Sequence, residues 1–345
     1  MLPNMTGGST SCERHRISTA ALQFEKDQFT LPWEKRLHQG PYSDVVCMKL
    51  NALNPPELVV IKGIRAMDEQ DPEGFVQNEL NIWRLLNNHL HIVPFLGTAT
   101  LDCLPGLYTP PLAVCRYYEE GSPREVSQLF NVIHANYTEV HCPVFTKKET
   151  QLRSEAGTRF ARGVAHIHEQ SVVHGDLKGD NIVVESTGDK LVAKIADFGS
   201  SRFDCDGCKS LNTQAGTMLW DSPEVAAEES GRTAQSDMWA VGCVALEVQL
   251  NTFPYTAGGN GLKNPKDLRR ATARQRRGDL PAKKADFNFE GKAISEAVWE
   301  IFHDCWRAPP KERPSAVELA ERLEAIHSPI KDQVICEMVR LELGR

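Results

Sequence analysis

The chain lacks any run of about 18 apolar residues, so the pattern for a membrane-spanning helix is missing. Met1 to Arg16 carry Thr, Ser, Gly and charge where a secretory signal needs an apolar core of about 7 to 15 residues. Excess positive charge is missing too. Lys and Arg number 39 against 46 Asp and Glu, a formal net charge of −7, which offers no general attraction to nucleic acid phosphates or anionic membranes. Ten cysteines spread from Cys12 to Cys336 without a secretory signal predict reduced thiols rather than a disulfide framework. The one close pair, Cys205 and Cys208, has no second pair or neighbouring His to complete four zinc ligands, and Asp206-Gly207 between them reads as an exposed turn. No repeat of about 20 to 50 residues is present. These absences predict an intracellular protein, cytoplasmic with a nuclear location open, that neither binds nucleic acid nor inserts into membranes.

What is present fits about two folding units, from 345 residues at roughly 150 per domain. Residues 1–31 hold Gly7-Gly8-Ser9-Thr10-Ser11 and no sustained apolar period, which predicts a flexible tail outside the catalytic unit. From Trp33 the pattern changes. Val45 to Met48 and Leu58 to Ile61 read as paired antiparallel strands around the turn-forming Asn51 to Pro56. Asp71-Pro72 starts a helix with Phe75, Leu80, Ile82, Trp83 and Leu86 at near-helical spacing. Ile92-Val93 and Leu112 to Cys115 are further strand candidates. Helical stripes then dominate: Phe160, Val164 and Ile167; Val241, Val244, Ala245 and Val248; Val298, Ile301 and Phe302; Val317, Leu319 and Leu323. Strands with one helix followed by many helices give an α+β division into a small and a large lobe.

The chemistry is concentrated in His174-Gly175-Asp176-Leu177-Lys178-Gly179-Asp180-Asn181, with Asp197-Phe198-Gly199 beginning sixteen residues after Asn181. Two carboxylates, an amide and a lysine at this spacing suit metal-assisted phosphoryl transfer. Its dispersed anionic transition state needs metal ligands, a positive side chain and a base that orients the hydroxyl. A lone Asp or Lys in a loop is usually a solvated charge or a cap; the ordered set is what carries the argument. The segment resembles the catalytic loop of eukaryotic-type protein kinases, H-R-D-L-x-x-x-N with D-F-G downstream, except that Gly175 replaces the arginine.

That resemblance implies a bilobal protein-kinase-like fold, with a small antiparallel β-sheet N-lobe holding one helix and a larger, mostly helical C-lobe. It implies ATP and Mg²⁺ as cofactors, Asp176 as catalytic base, Lys178 as stabiliser of the transferring phosphoryl, Asn181 as one metal ligand and Asp197 as the main one. Lys178 is also the residue type of kinases acting on Ser and Thr. Val59-Val60-Ile61-Lys62 resembles the V-A-I-K strand, and Glu79 is placed like the partner of that lysine. Where the family shows a glycine-rich loop, the chain reads His38-Gln39-Gly40-Pro41-Tyr42-Ser43-Asp44-Val45, so only the middle glycine, Gly40, is kept, which weakens backbone approach to phosphates. Val45, Val60 and Val183 would line the adenine site. Leu112 to Tyr118 is similar to the strand leading into the hinge, with Cys115 at the gatekeeper position and Tyr117 in the hinge.

Gly216 to Glu224 resembles the end of an activation segment, with Thr217 docking substrate. In the same resemblance Glu224 pairs with Arg313, and Asp237 anchors the catalytic-loop backbone. The likeness runs over residues 32–328, with an N-lobe of 32–116, a C-lobe of 117–328 and a C-terminal extension of 329–345. The forms G-T-x-x-W-x-x-P-E and C-W-x-x-x-P-x-x-R-P are similar to the tyrosine-kinase-like group of Ser/Thr kinases.

The expected activity is transfer of the γ-phosphoryl group of ATP to protein Ser/Thr hydroxyls in signalling, by a monomeric catalytic domain. Two rivals stay open at this point. H-G-D-x-x-x-x-N also resembles small-molecule phosphotransferases, and the eroded glycine loop is compatible with a pseudokinase scaffold. Gly175 suggests little dependence on a phosphorylated activation segment. Ser200, Ser201, Ser210 and Thr213 are candidate phosphorylation sites. The basic stretch Lys266, Arg269, Arg270, Arg274 and Arg276 reads either as a docking patch, a nuclear signal or a solvated helix face.

Overall fold

The computed structural model describes residues 22–30, 36–39, 43–64, 72–101, 111–119, 147–187, 190–205, 218–250, 252–256, 264–287 and 293–327. Strands β1 (Gln23–Phe24), β2 (Phe29–Thr30), β3 (Arg36–Gln39), β4 (Ser43–Leu50), β5 (Glu57–Ile64), β6 (Phe95–Ala99) and β7 (Leu112–Arg116) form one sheet. Its order is β1-β6-β7-β5-β4-β2, with β3 also on β4. β1 runs parallel to β6 and the other pairs are antiparallel, so the sheet is mixed where an antiparallel one was expected.

The expected strand pair is present, with Val46 opposite Ile61 and Val45 opposite Lys62. Because side chains alternate along a strand, Val59 and Ile61 join Val46, Met48, Leu112 and Val114 in a core on the outer face of the sheet. Val60 and Lys62 are thereby left on the face toward the second lobe.

Residues 22–30, expected to belong to a flexible tail, carry two strands of the sheet. Phe24 and Phe29, ring centroids 6.1 Å apart, are buried in that outer core. An apolar sheet face must be covered, and two aromatics in a polar stretch do so without any periodicity that a sequence pattern would register. The close approach of β1 depends on Gly97: a Cβ there would collide with the Leu22 carbonyl, which accepts the Thr98 N–H at 2.8 Å.

Helix α1 (Pro72–Leu86) starts at Pro72 as expected, burying Leu80, Ile82, Trp83 and Leu86; Asp71 lies outside the described residues. Ile92-Val93 is no strand. Ile92 makes a single bridge to Ile195, and the Val93 N–H donates to the Ile195 carbonyl at 2.9 Å. That segment is pinned to the large lobe, and the strand begins at Phe95.

The large lobe contains α2 (Lys147–Glu169), β8 (Val172–Val173), β9 (Ile182–Thr187), β10 (Lys190–Ile195), β11 (Arg202–Phe203), α3 (Pro223–Ala226), α4 (Ala234–Leu250), α5 (Pro265–Arg276), α6 (Ala293–His303) and α7 (Ala316–His327). β9 pairs with β10 and β8 with β11. Helix α4 is buried on nearly every side, from Ser236 through Glu247, and the other helices pack round it. In α7 the buried stripe is Ala316, Leu319, Ala320 and Leu323; Val317, expected in the core, is 37 % exposed because it lies one position round from that stripe.

Candidate active site

Lys62 reaches the inter-lobe face because it lies in register two residues from Val60 on β5. Its Nζ is 2.7 Å from Glu79 Oε1 on α1 and 2.6 Å from Asp197 Oδ1. Burial works against the Lys62 ammonium, but Asp197 and Glu79 together outweigh it and hold the pKa above the ordinary lysine value. For Asp197 the surrounding protein works against ionisation, and Lys62 outweighs it, holding the carboxyl well below the usual range. Glu79 is pushed up, mainly by burial and further by Asp197, against the opposing pull of Lys62. The expected Lys62–Glu79 pair therefore exists as part of a three-membered cluster.

Asp197 sits at φ 63 with the Gly199 N–H donating to Oδ1 at 3.2 Å. Every hydrogen bond described for its carboxylate falls on Oδ1, while its side chain keeps 41 % exposure. Phe198, fully buried, packs between Trp83 of α1 and His174, at centroid distances of 5.9 and 5.4 Å. This links the position of Asp197 to both lobes.

Below the cluster, Asp176 Oδ2 accepts from Lys178 Nζ at 2.7 Å and from Asn181 Nδ2 at 3.1 Å; Asn181 Nδ2 also donates to the Asp176 carbonyl at 2.7 Å. The loop that carries them is held from beneath by Asp237, which accepts the N–H groups of His174 and Gly175 at 2.8 and 2.9 Å and contacts His168 Nε2 at 3.0 Å. His174 is fully buried and its pKa is lowered by that burial. Glu224 and Arg313 meet through two bonds of 2.6 and 2.9 Å, with the guanidinium over the Trp239 ring.

The residues expected around the adenine lie in two sheets. Val60 lies opposite Cys115, Val45 opposite Lys62, and Val183 pairs with Lys194 at the start of the β9–β10 hairpin. Cys115 is buried, which pushes its thiol up to about 12, with Lys62 opposing. Tyr117 N–H reaches the Leu58 carbonyl at 3.4 Å. Gly40 and Thr217 lie outside the described residues, as do Ser210, Thr213 and Cys208. Ser201, a candidate phosphorylation site, is fully buried and donates its hydroxyl to the His174 carbonyl at 2.9 Å, so it is a strut of the catalytic loop.

Glu247, His168, Asp221, Arg232 and Gln275 were not anticipated. Glu247 Oε1 accepts from the Gly179 N–H at 3.0 Å and Trp220 Nε1 at 2.7 Å, joining the catalytic loop to the segment before α3. A carboxylate inside the apolar run Val241 to Leu250 was the signal for it, since a buried acid needs partners.

A buried lysine shared by two carboxylates, above an Asp–Lys–Asn cluster and between two lobes, defines a protein-kinase-like scaffold. The profile of the protein kinase domain family matches residues 33–323, and the chain belongs to that family. Among curated relatives, mitogen-activated protein kinase kinase kinase 19 of Mus musculus is 28 % identical over 335 residues, covering 90 % of this chain and 21 % of the relative. Mitogen-activated protein kinase kinase kinase A of Dictyostelium discoideum is 25 % identical over 310 residues, covering 84 % and 27 %. Tyrosine-protein kinase Srms of Homo sapiens is 34 % identical over 171 residues, covering 49 % and 31 %. The chain thus spans about a fifth to a quarter of the length of the first two relatives. No helix among the described residues is long and apolar enough to cross a membrane.

Proposed function

We propose that this domain is a serine/threonine protein kinase of the tyrosine-kinase-like group, transferring the γ-phosphoryl group of ATP to a protein hydroxyl in a signalling pathway. The observation that carries the reading is the convergence of Lys62, Glu79 and Asp197 with Asp176, Lys178 and Asn181 at one inter-lobe face. The names of the first two relatives describe kinases that act on kinases, which supports a protein acceptor. We further propose an intracellular, cytoplasmic protein with a monomeric catalytic domain.

The donor set fits Mg²⁺. Among the described residues no cluster of three His, Cys, Asp or Glu side chains suits a metal, but Mg²⁺ keeps several waters and takes one or two protein oxygens plus substrate phosphates. Asp197 and Asn181 would supply those oxygens: Asp197 binds Lys62 and Gly199 through Oδ1, and Asn181 binds Asp176 through Nδ2. When bound, the cation neutralises phosphate charge.

The remaining steps belong to the chain. Lys62, held by Glu79, binds the α- and β-phosphates of ATP as a fixed cation. Asp176, aligned by Asn181 and Lys178, orients the acceptor hydroxyl and takes its proton as the acceptor oxygen bonds to the γ-phosphorus. The bond from the γ-phosphorus to the bridging oxygen breaks and ADP departs. Lys178, 2.7 Å from Asp176 Oδ2, lies where negative charge develops on the phosphoryl oxygens. Cys115 and Tyr117 form the hinge side of the nucleotide pocket, with Val45, Val60 and Val183 as its apolar walls.

The test is ATP-dependent labelling of a generic protein substrate with Mg²⁺ by wild type and Asp176→Ala, followed by identification of the modified residue. Phosphoserine or phosphothreonine that disappears in the variant supports the reading. Phosphotyrosine would overturn the acceptor class. Folded, ATP-binding wild type that labels no protein would sink the activity itself.

A further inference from the structure

Gly175 stands where the family's catalytic loop carries an arginine, and the structure shows what fills the space. Gly175 has φ 81, and a Cβ there would lie 2.6 Å from the Ser200 carbonyl oxygen and 3.1 Å from Arg232 Cδ. Both the backbone conformation and the stem of Arg232 therefore exclude a larger side chain. Arg232 arrives from a distant part of the chain, between α3 and α4, yet its side chain is only 11 % exposed.

Its guanidinium has a fixed partner. Arg232 Nη2 lies 3.1 and 3.3 Å from the two carboxylate oxygens of Asp221, whose side chain is 17 % exposed. Asp221 belongs to the short segment Met218–Ser222 that leads into α3. Trp220, next to Asp221, donates to Glu247, which also accepts the Gly179 N–H, so this segment is tied to the loop that carries Asp176 and Lys178. Burial raises the Asp221 pKa and Arg232 opposes that.

Arg232 and Asp221 are each tied to a further segment. The Arg232 carbonyl accepts from Arg202 of β11, just beyond Asp197-Phe198-Gly199. The Asp221 carbonyl accepts from Gln275 Nε2 of α5 at 2.6 Å, and the same amide donates to the Met218 carbonyl. Through their ion pair, the stem of Arg232 and their backbone carbonyls, Arg232 and Asp221 thus join the catalytic loop at Gly175, the strand after Asp-Phe-Gly and the segment before α3.

We propose that Arg232, acting through Asp221, is a positioning residue that holds Met218–Ser222 against Asp176 and Lys178, in place of the arginine missing at Gly175. It rests on the kinase reading above. Its consequence is that the substrate side of the site is set by an ion pair encoded in the chain, with no phosphate required to complete it. Removing either partner leaves the other charge uncompensated, so a single substitution at the pair is felt at the site.

The test is a double-mutant cycle of Arg232→Met and Asp221→Asn in the full chain, with steady-state kinetics varied separately in protein substrate and in ATP. Each single variant is expected to lower kcat/KM for the protein substrate by about 10- to 100-fold, as misplacement of a reacting group does, with the KM for ATP unchanged. The double variant is expected to be no worse than either single. Phosphatase-treated wild type is expected to keep its rate. Asp221→Asn is nearly isosteric, so the cycle remains readable if Arg232→Met folds poorly. Singles as active as wild type, losses that multiply in the double, or a raised KM for ATP would overturn the inference while leaving the kinase reading intact. Wild type that transfers no phosphoryl group overturns both.

Discussion

Lowering the pH from 7 to 5 is expected to destabilise the protein through His91, and the size of the loss follows from its surroundings. His91 is 7 % exposed in the segment between α1 and β6, with Nδ1 3.2 Å from the Ala193 carbonyl. A carbonyl only accepts, so Nδ1 carries a proton, and it is burial that disfavours a second proton on the ring. Burial lowers its pKa to about 4; the Ala193 bond opposes this, while His89 in the same segment, Lys194 on β10 and Arg159 on α2 add to it.

The folded pKa lies below that of the unfolded chain, about 6.5. As pH falls below 6.5 the unfolded state takes up the proton first, so stability is lost down to pH 4 and no further below it. Between pH 7 and 5 the loss is about 2 kcal/mol, from roughly 1.5 pH units at about 1.36 kcal/mol each. His91→Asn supplies an N–H to the Ala193 carbonyl but does not titrate. Urea unfolding of both proteins at the two pH values measures the difference, since all other groups cancel. Wild type should lose about 2 kcal/mol more than the variant; equal losses would refute the account of His91 as a buried neutral ring.

Arg313 has a fully buried side chain bonded to both Glu224 oxygens and stacked on Trp239. Arg313→Met strands the Glu224 carboxylate, and urea unfolding should show a loss of about 3–5 kcal/mol. Lys62→Met leaves Glu79 and Asp197 facing each other without a cation; phosphoryl transfer should fall by at least about 100-fold, measured with saturating ATP, and a variant within tenfold of wild type would remove Lys62 from the site.

The motifs were legible because each is a local string whose residue types are dictated by chemistry. Lys62, Glu79, Asp176, Lys178, Asn181 and Asp197 come together from four segments as their order implied. What escaped was set by tertiary packing. Phe24 and Phe29 joined the sheet because its outer face required cover. Ile92-Val93 resembled a strand, but its hydrogen bonds go to β10 of the other lobe. Ser201 read as a candidate phosphorylation site, although its hydroxyl is buried and supports His174. Arg232 lies in no motif and Asp221 at an unspecified position of one; they stand eleven positions apart, and only the space at Gly175 brings them into one account. Sequence patterns report the face an element buries, while partners from distant segments become visible only when the chain has closed on itself.

The charge count of the nucleotide-side cluster leads to a prediction that does not depend on turnover. Lys62 contributes one positive charge, and Glu79 and Asp197 contribute one negative charge each. Glu79 is 1 % exposed and its Oε2 has no hydrogen-bond partner within the described structure. Asp197, whose pKa Lys62 holds low, is the exposed member of the cluster and is where a cation can approach. Mg²⁺ with ATP should stabilise the folded protein against heat by mass action, about 2.7 kcal/mol at a hundredfold excess over Kd. Asp197→Asn removes the carboxylate charge but keeps the shape and one oxygen, and it should abolish most of that gain while leaving the unliganded protein folded. Thermal unfolding with ATP and EDTA, with Mg²⁺ alone and with both separates the contributions. A rise in Tm as large in Asp197→Asn as in wild type would mean that the cation is held elsewhere and that Asp197 serves Lys62 alone.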